Sequence, residues 1–586
     1  MTKILDKINS PKDLKSLSIE ELNSLAEEMR EVIIKKVNTT GGHMGPNLGF
    51  VEPTIALHYV FSSPVDKFVF DVSHQCYPHK ILTGRKEGFT NPEKYYDYSG
   101  FTAPTESEHD VFTIGHTSTA VSLATGLAKG RDLQKGKENI IAIIGDGSMS
   151  GGEAFEGFNN SAVLGTNFII VVNDNEMSIA ENQGGLYKNL KLLRETKGKA
   201  ECNIFKALGF EYKYVPDGND IKDLIETFKN VKDTDHPTVV HIHTLKGKGL
   251  KVAEENKEAF HWILPGTLDK KTDSTPQKVE NYNSITNDFI ISKKNDGIPI
   301  VAITAATPGA TCFSQEFRNE LKEHYTDVGI AEEHAIAYCS GIAKRGGRPI
   351  FSVLSSFIQR TYDQMIQDLA LNNSPATVLV NWGGISPADA THSGMYDIPL
   401  ISNIPNIVYL APTCKEEYLK MLEFATSQNL RPVFIRVPFG NFISTGIEDK
   451  TDYSILNKSK VVKEGETVAI LAVGSFFEKG KQVIKELEEK TGIKATLINP
   501  TYLTGLDNDL LEALKQNHKL IVTLEDGVLN GGYGEKIASF YGNSNQKVLN
   551  FGAKKEFTDR IPLDKLYEKY HLTTKQIVED IQKALS

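Results

Sequence analysis

The chain has 586 residues, 40% hydrophobic and 24% charged, with a net charge of −10. That length suits roughly three or four domains of about 150 residues, and the acidic balance excludes a general nucleic-acid binder while leaving room for a local cationic site facing an anion. The five cysteines (Cys76, Cys202, Cys312, Cys339, Cys414) are odd in number and lack C-x-x-C spacing, a pattern of reduced thiols rather than of a disulfide scaffold or a cysteine zinc site. The first residues carry no apolar leader, and no run of about 18 apolar residues occurs. The expectation is a soluble cytoplasmic protein with no membrane partner and no nucleic-acid partner.

In chain order, Ser18 and Glu21 give an S-x-x-E start, and Leu22, Leu25, Met29, Val32, Ile33 and Val37 follow at helical spacing until "TTGGHMGPN" breaks the pattern. Strand-like runs come next at "KFVFDV", "NIIAIIGDG", "NFIIVVND" and "TVVHIHT", separated by helical stretches. Residues from Gly266 to Asn287 are polar and read as a linker. A second alternating stretch contains "IPIVAITAA", "GRPIFSVLSS", "ATVLVNWGG", "IVYLAPT" and "PVFIRVP". A polar stretch from Gly446 to Glu464 precedes "TVAILAVGS", "KATLINP" and "KLIVTLED". Alternation of this kind predicts parallel sheets covered by helices on both faces. The fold class expected is α/β, with three doubly wound domains at 1–280, 281–450 and 451–586.

The stretch "IIAIIGDGSMSGG" ends a buried strand on Gly-Asp-Gly, which by itself reads as a turn. Asn175 closes the next strand 29 positions after Asp146. Between them Ala154, Phe158 and Ala162 mark a crossover helix, so a right-handed βαβ unit is expected. Neighbouring strands about 4.8 Å apart would put both carboxyl ends on the crevice where open α/β sheets bind ligands. A carboxylate, an amide and a backbone carbonyl suit Mg²⁺, which shares its shell with phosphate. Gly147 allows close backbone approach, and a helix starting just after it would offer free N–H groups to an anion. No GxxxxGK[ST] loop is present, and "NGGYGEK" matches a dinucleotide loop only in part.

Gly-Asp-Gly followed about thirty residues later by Asn resembles the thiamine-diphosphate enzymes. The segments "GGHMGPNLGFVEPTIALHYVF", "DVSHQCYPHKILTGR", "TIGHTSTAVSLATGLA", "NDNEMSIAEN", "IAEEHAIAYCSGIA" and "SSFIQRTYDQMIQDLA" resemble the 1-deoxy-D-xylulose-5-phosphate synthase family, transketolase relatives of isoprenoid biosynthesis, in that family's order. The resemblance implies a transketolase-like architecture of two thiamine-diphosphate-binding folds and a C-terminal domain. It also implies a homodimer and two cofactors, thiamine diphosphate and Mg²⁺. Asp146, Asn175 and the carbonyl of Met177 would hold the metal. His74, Gly115, His116, Thr117, Gly147 and Ser148 would line the cofactor. Glu332 would meet its pyrimidine ring, with Phe357 stacked on it; without the resemblance, Glu332 reads as a charge at a helix start. His43, His261 and His392 would face the reacting carbons and move protons; His79 and His334 read as structural. The implied substrates are small molecules, a 2-oxo acid donor (pyruvate) and an aldehyde acceptor. A transketolase-like ketol transfer from an unphosphorylated ketose is the alternative.

Departures gather at the acceptor. The family holds glyceraldehyde 3-phosphate with two arginines and a tyrosine, where this chain has Trp382, Phe439 and Leu354. Arg360 and Asp389 complete the acceptor pocket expected here, and Arg360 could stand in for a missing arginine. Ser73 replaces a usual glycine. Between Glu181 and Phe205 the chain is about thirty residues shorter than relatives, in a region that covers the site.

Overall fold

The computed structural model describes residues 3–269, 280–311, 313–438, 440 and 442–586. Helix α1 (Ile19–Thr40) opens on a reciprocal cap in which Ser18 Oγ accepts from Glu21 N (3.2 Å) and Glu21 Oε2 accepts from Ser18 N (2.9 Å). It stops at Gly41, whose φ of 75° is cheap only for glycine.

Five strands follow: β1 (Lys67–Phe70), β2 (Ile140–Gly145), β3 (Phe168–Asp174), β4 (Glu211–Val215) and β5 (Pro237–His243). They form one parallel sheet in the order β1-β2-β3-β5-β4. Helix α2 (Ala120–Leu133) leads into β2, α3 (Gly152–Ser161) crosses from β2 to β3, and α4 (Gly185–Glu195) follows β3. Both faces of the central strands are covered. Ile141, Ile143, Ile169 and Val171 pack with α1, while Ile140, Ala142, Ile144, Ile170 and Val172 pack with α2 and α3. Burial on both faces is why these strands read as unbroken apolar runs. The edge strand β4, "EYKYV", is mostly half-buried and escapes that signal.

This sheet lies in one compact unit, Met1–Pro276 with Gly329–Ala331. The second unit is Gln277–Val328 with Glu332–Ser586 and holds two sheets. One contains β6 (Ile300–Thr304), β7 (Tyr325–Asp327), β8 (Arg348–Leu354), β9 (Thr377–Gly383), β10 (Val408–Leu410) and β11 (Val433–Pro438), all parallel, in the order β10-β11-β9-β8-β6-β7. Helix α5 (Glu332–Lys344) packs on β8. The other contains β12 (Lys460–Lys463), β13 (Thr467–Ala472), β14 (Thr496–Asn499), β15 (His518–Val528) and β16 (Lys547–Ala553), in the order β12-β14-β13-β15-β16 with only β12 antiparallel. Ile303, Val378 and Phe434 of one sheet share a core with Leu471, Ile498 and Ile521 of the other.

Three expectations need correction. The Gly266–Asn287 linker is shorter, because Asn281 caps a helix over Tyr282–Asn295; residues 270–279 lie outside the described set. The Gly446–Glu464 stretch includes edge strand β12, whose Lys-Val-Val-Lys pattern leaves both valines exposed. The segment straight after Asp146 is a short 3₁₀ turn, Gly147–Ser150, and the α-helix starts only at Gly152. The loop "NGGYGEK" is filled from within: Glu525 accepts from the backbone N–H of Tyr533 (2.9 Å) and Gly534 (2.8 Å).

One buried ion cluster ties the two sheets of the second unit. Arg436 on β11 donates Nε to Asp397 Oδ2 (2.6 Å) and Nη1 to Asp526 on β15, and Tyr409 donates its hydroxyl to Asp397. Removing the cation leaves two acids in a dry core, which costs about 3–5 kcal/mol. Arg436→Met is expected to lose that much in equilibrium denaturant unfolding, with a matching fall in midpoint.

Candidate active site

In the first unit, Gly145 at the end of β2 pairs with Asn173 on β3, so Asp146 and Asn175 leave adjacent strands at the same edge. Asp146 N donates to Asn173 O (3.0 Å), and the Asp146 carboxylate is buried. Burial, then the nearby Asp174, raises the pKa of this carboxyl well above the usual carboxylate range, with Asn182 and Lys246 opposing. Asp174 is handled differently. Burial raises it, but His241 (Nε2–Oδ2 2.9 Å) and Arg194 (Nη1–Oδ2 2.6 Å) outweigh that and hold it at about 2. Asp146 is therefore an acid buried beside a fixed negative charge, a place where a cation is favoured.

The donor set fits Mg²⁺. Asn182 donates Nδ2 to Asp146 Oδ2 (2.6 Å), and its Oδ1 is buried with no partner. Asn175 Oδ1 accepts from Met177 N (3.2 Å), folding the residues after β3 into a tight turn. Carboxylate, amide and carbonyl oxygens are hard donors. Among the described residues, no group of three or more His, Cys, Asp or Glu could hold a metal ion.

The segments expected to line the cofactor are tied to this edge. Ser118 donates Oγ to Ser148 O (2.8 Å), and its N–H donates to Asp71 Oδ2 (2.9 Å), locking the Gly115–His116–Thr117 turn against Gly147–Ser148. A Cβ on Gly147 would lie 2.9 Å from Ser178 Cβ, so glycine is required there. Tyr187 on α4 donates its hydroxyl to the carbonyls of Asp146 (3.3 Å) and Gly147 (3.2 Å). The shortened region thus packs on the Gly-Asp-Gly turn. Lys246 donates Nζ to Ser178 O (2.6 Å), and burial lowers its ammonium to about 7.

Three histidines meet in the same unit. Ring centroids lie 5.1 Å apart for His43–His74, 5.5 Å for His43–His261 and 5.3 Å for His74–His261. A short antiparallel pair, Gly42–His43 with Trp262–Ile263, brings His43 and His261 together. Asn47 joins the third, donating Nδ2 to the carbonyls of His43 (2.8 Å) and His74 (2.7 Å). Burial keeps His74 and His261 far below the usual imidazole range, hence neutral, and the Nδ1 of each is buried without a partner. Ser73, at φ 62°, holds this turn by donating to Ile114 O (2.7 Å) and accepting from Thr102 N (2.9 Å). His79 is structural, bonded to His58 (2.9 Å) and Asp110 (3.0 Å) in the core.

The second unit holds the other expected residues. Glu332 begins α5, is buried, and its Oε2 has no hydrogen-bond partner. Burial pushes it up to about 7, against the opposing charge of Arg360, whose Nη1 lies 3.6 Å from Oε2. Phe357 meets His392 edge-on at 5.6 Å. Asp389 Oδ1 accepts from Thr391 N (2.9 Å) and lies 3.3 Å from His392 Nδ1. Burial raises the Asp389 carboxyl, but His392 and Thr391 outweigh it and hold the group well below its usual range. Trp382 sits at φ 59° and is 42% exposed, a strained place for a bulky side chain. Its turn is pinned where Gly384 N donates to Gly394 O (3.0 Å). A Cβ on Gly394 would come within 2.0 Å of Trp382 O. Leu354 is buried, His334 stacks on exposed Tyr338, and Phe439 lies outside the described residues.

Comparison with known proteins decides the family. A protein from Halothermothrix orenii named 1-deoxy-D-xylulose-5-phosphate synthase is 37% identical over 100% of this chain and 98% of its own. Another of that name from Natranaerobius thermophilus is 37% identical over 100% of this chain and 99% of its own. The chain belongs to the 1-deoxy-D-xylulose-5-phosphate synthase family. The model described as 1-deoxy-D-xylulose-5-phosphate synthase matches residues 5–202 and 192–244, the transketolase pyrimidine-binding domain 281–443, and the transketolase C-terminal domain 457–577. The fold is transketolase-like α/β, and the class is that of a transferase using thiamine diphosphate with a divalent metal. No helix among the described residues is long and apolar enough to cross a membrane.

Sequence reasoning missed Asn182, Lys246 and Asn47. The first sits inside the quoted "NDNEMSIAEN" and could have been found there; Lys246 has no local signal beyond "KGKG". For a synthase of this family, thiamine diphosphate with Mg²⁺ at a hundred times its Kd should add about 2.7 kcal/mol of stability. Thermal-shift titration is expected to show a rise in wild type that Asp146→Ala abolishes and Asn182→Ala reduces.

Proposed function

We propose that this chain decarboxylates pyruvate and joins the resulting two-carbon unit to an aldehyde, as a cytoplasmic homodimer acting on small molecules without nucleic acid or membrane. The observation that carries the reading is the buried, cation-seeking Asp146 at a shared strand edge with Asn175, in a unit that also gathers three histidines. Family membership favours this over ketol transfer from an unphosphorylated ketose.

Asp146, Asn175 and the Met177 carbonyl would hold Mg²⁺. His74, Gly115, His116, Thr117, Gly147 and Ser148 would hold the diphosphate arm, with the 3₁₀ turn supplying N–H groups. When bound, thiamine diphosphate supplies the electron sink that lets a carboxylate leave an α-carbonyl carbon. Glu332, poised near neutrality, would exchange a proton between its carboxyl oxygen and a pyrimidine nitrogen, with Phe357 stacking on the ring. His43 and His261, among buried neutral rings, would orient the donor and move protons at their ring nitrogens, and His392, oriented by Asp389, would do so for the acceptor.

The acceptor we propose is an unphosphorylated, more apolar aldehyde than glyceraldehyde 3-phosphate. Trp382 presents apolar surface, Leu354 is a buried apolar side chain, and the nearby Arg436 is held inward by Asp397 and Asp526. Each charge-assisted bond to phosphate that is lost costs about 1.5–3 kcal/mol.

Two outcomes test these readings. Purified enzyme with thiamine diphosphate and Mg²⁺ is expected to release CO₂ from pyruvate, and Glu332→Gln to cut turnover by 100-fold or more, on the order of general acid–base catalysis. In acceptor competition followed by product mass spectrometry, short unphosphorylated aldehydes are expected to win, and Trp382→Arg to lower KM for the phosphate ester. A wild-type preference for the phosphate ester rejects the acceptor reading.

A further inference from the structure

Arg360 needs an assignment, because its guanidinium stands beside the buried Glu332 carboxyl. It lies in the Gln359–Thr361 turn, which packs on α5, with its side chain 16% exposed. Its Nη1 stands 3.6 Å from Glu332 Oε2, beyond hydrogen-bond length, so it acts on the carboxylate by charge while the oxygen keeps its lone pairs. The other charged groups around α5 are few. Glu333, on the same helix, opposes ionisation. Asp363 and Asp368 lie on the segments Tyr362–Gln364 and Met365–Ala370 that pack on α5, and Asp368 offers its main-chain carbonyl to Ser340 Oγ (2.7 Å). On β8 the charged residue is Arg348, which donates Nη1 to Gln428 O (3.1 Å).

We propose that Arg360 is a positioning residue that stabilises ionised Glu332 through space and leaves Oε2 open to a ring nitrogen, rather than a phosphate-binding residue for the acceptor. The inference rests on the reading of Glu332 as the pyrimidine contact. With the cofactor bound, Glu332 would give its carboxyl proton to the ring nitrogen and take it back, and the carboxylate form of Glu332 is the one that Arg360 favours. Burial alone would keep the carboxyl protonated, and a direct Arg–Glu hydrogen bond would occupy the oxygen the ring requires. Contact by charge without a bond meets both demands.

The test begins on the cofactor-free protein, where turnover plays no part. A raised carboxyl favours the folded state below the unfolded value and loses that contribution as pH rises through the folded value, here about 7. Thermal midpoints from pH 5 to 9 are compared for wild type, Arg360→Met, Arg360→Lys, Glu332→Gln and Glu332→Gln/Arg360→Met. The Glu332-dependent decline is expected to end near pH 7 in wild type. It should run roughly one unit higher in Arg360→Met, a tenfold change in proton affinity, and fall between in Arg360→Lys. It should be absent with Glu332→Gln, alone or doubled. In the loaded enzyme the acid limb of kcat should move up by the same amount with Arg360→Met and partly return with Arg360→Lys, while KM for acceptor is unmoved. An Arg360→Met effect equal in both Glu332 backgrounds at every pH overturns the proposal, as does a selective rise in KM for a phosphorylated acceptor. If Arg360→Met does not fold, Arg360→Lys and Glu332→Gln still decide it. Failure of the Glu332 reading shows separately, as undiminished turnover in Glu332→Gln.

Discussion

A carboxylate buried beside another carboxylate is the constraint around which the first unit is arranged. Asp146 and Asp174 leave neighbouring parallel strands at one edge, and water is excluded from both. The protein settles Asp174 with His241 and Arg194 but gives Asp146 only an amide from Asn182 and a distant ammonium from Lys246. One acid is paired with cationic side chains of the chain and the other is not. The surrounding glycine turn, the Ser118–Ser148 bond and the hydroxyl of Tyr187 fix the edge so that this imbalance persists.

The same economy of charge governs the second unit. Arg436 is spent on Asp397 and Asp526, where it joins two sheets. Arg360 faces Glu332. The surface offered beyond them is Trp382, kept in a strained backbone conformation by the Gly384–Gly394 pairing. The two arginines thus stand against different acids, one between two sheets and one at the start of α5.

The histidines illustrate how far sequence reasoning reaches. Their positions in Gly- or Ser-rich breaks mark His43 and His74 as candidates, yet nothing local says that His261, far along the chain from both, completes the group. That depends on a two-residue antiparallel pair and on Asn47 bridging two carbonyls. The edge strands β4, β7 and β12 were likewise illegible, because short half-solvated strands carry no apolar run.

The sequence by itself determined the parallel α/β layers, the crossover from Asp146 to Asn175 and the family, because two-faced burial imposes apolar runs and the site segments follow one another in the family's order. Tertiary structure alone decided the surroundings of each charge. Asp174 and Asp146 look alike in sequence, as do Arg436 and Arg360; burial and the partners brought by distant segments pair Asp174 with His241 and Arg194 and Arg436 with Asp397 and Asp526, and give Asp146 and Arg360 different neighbours.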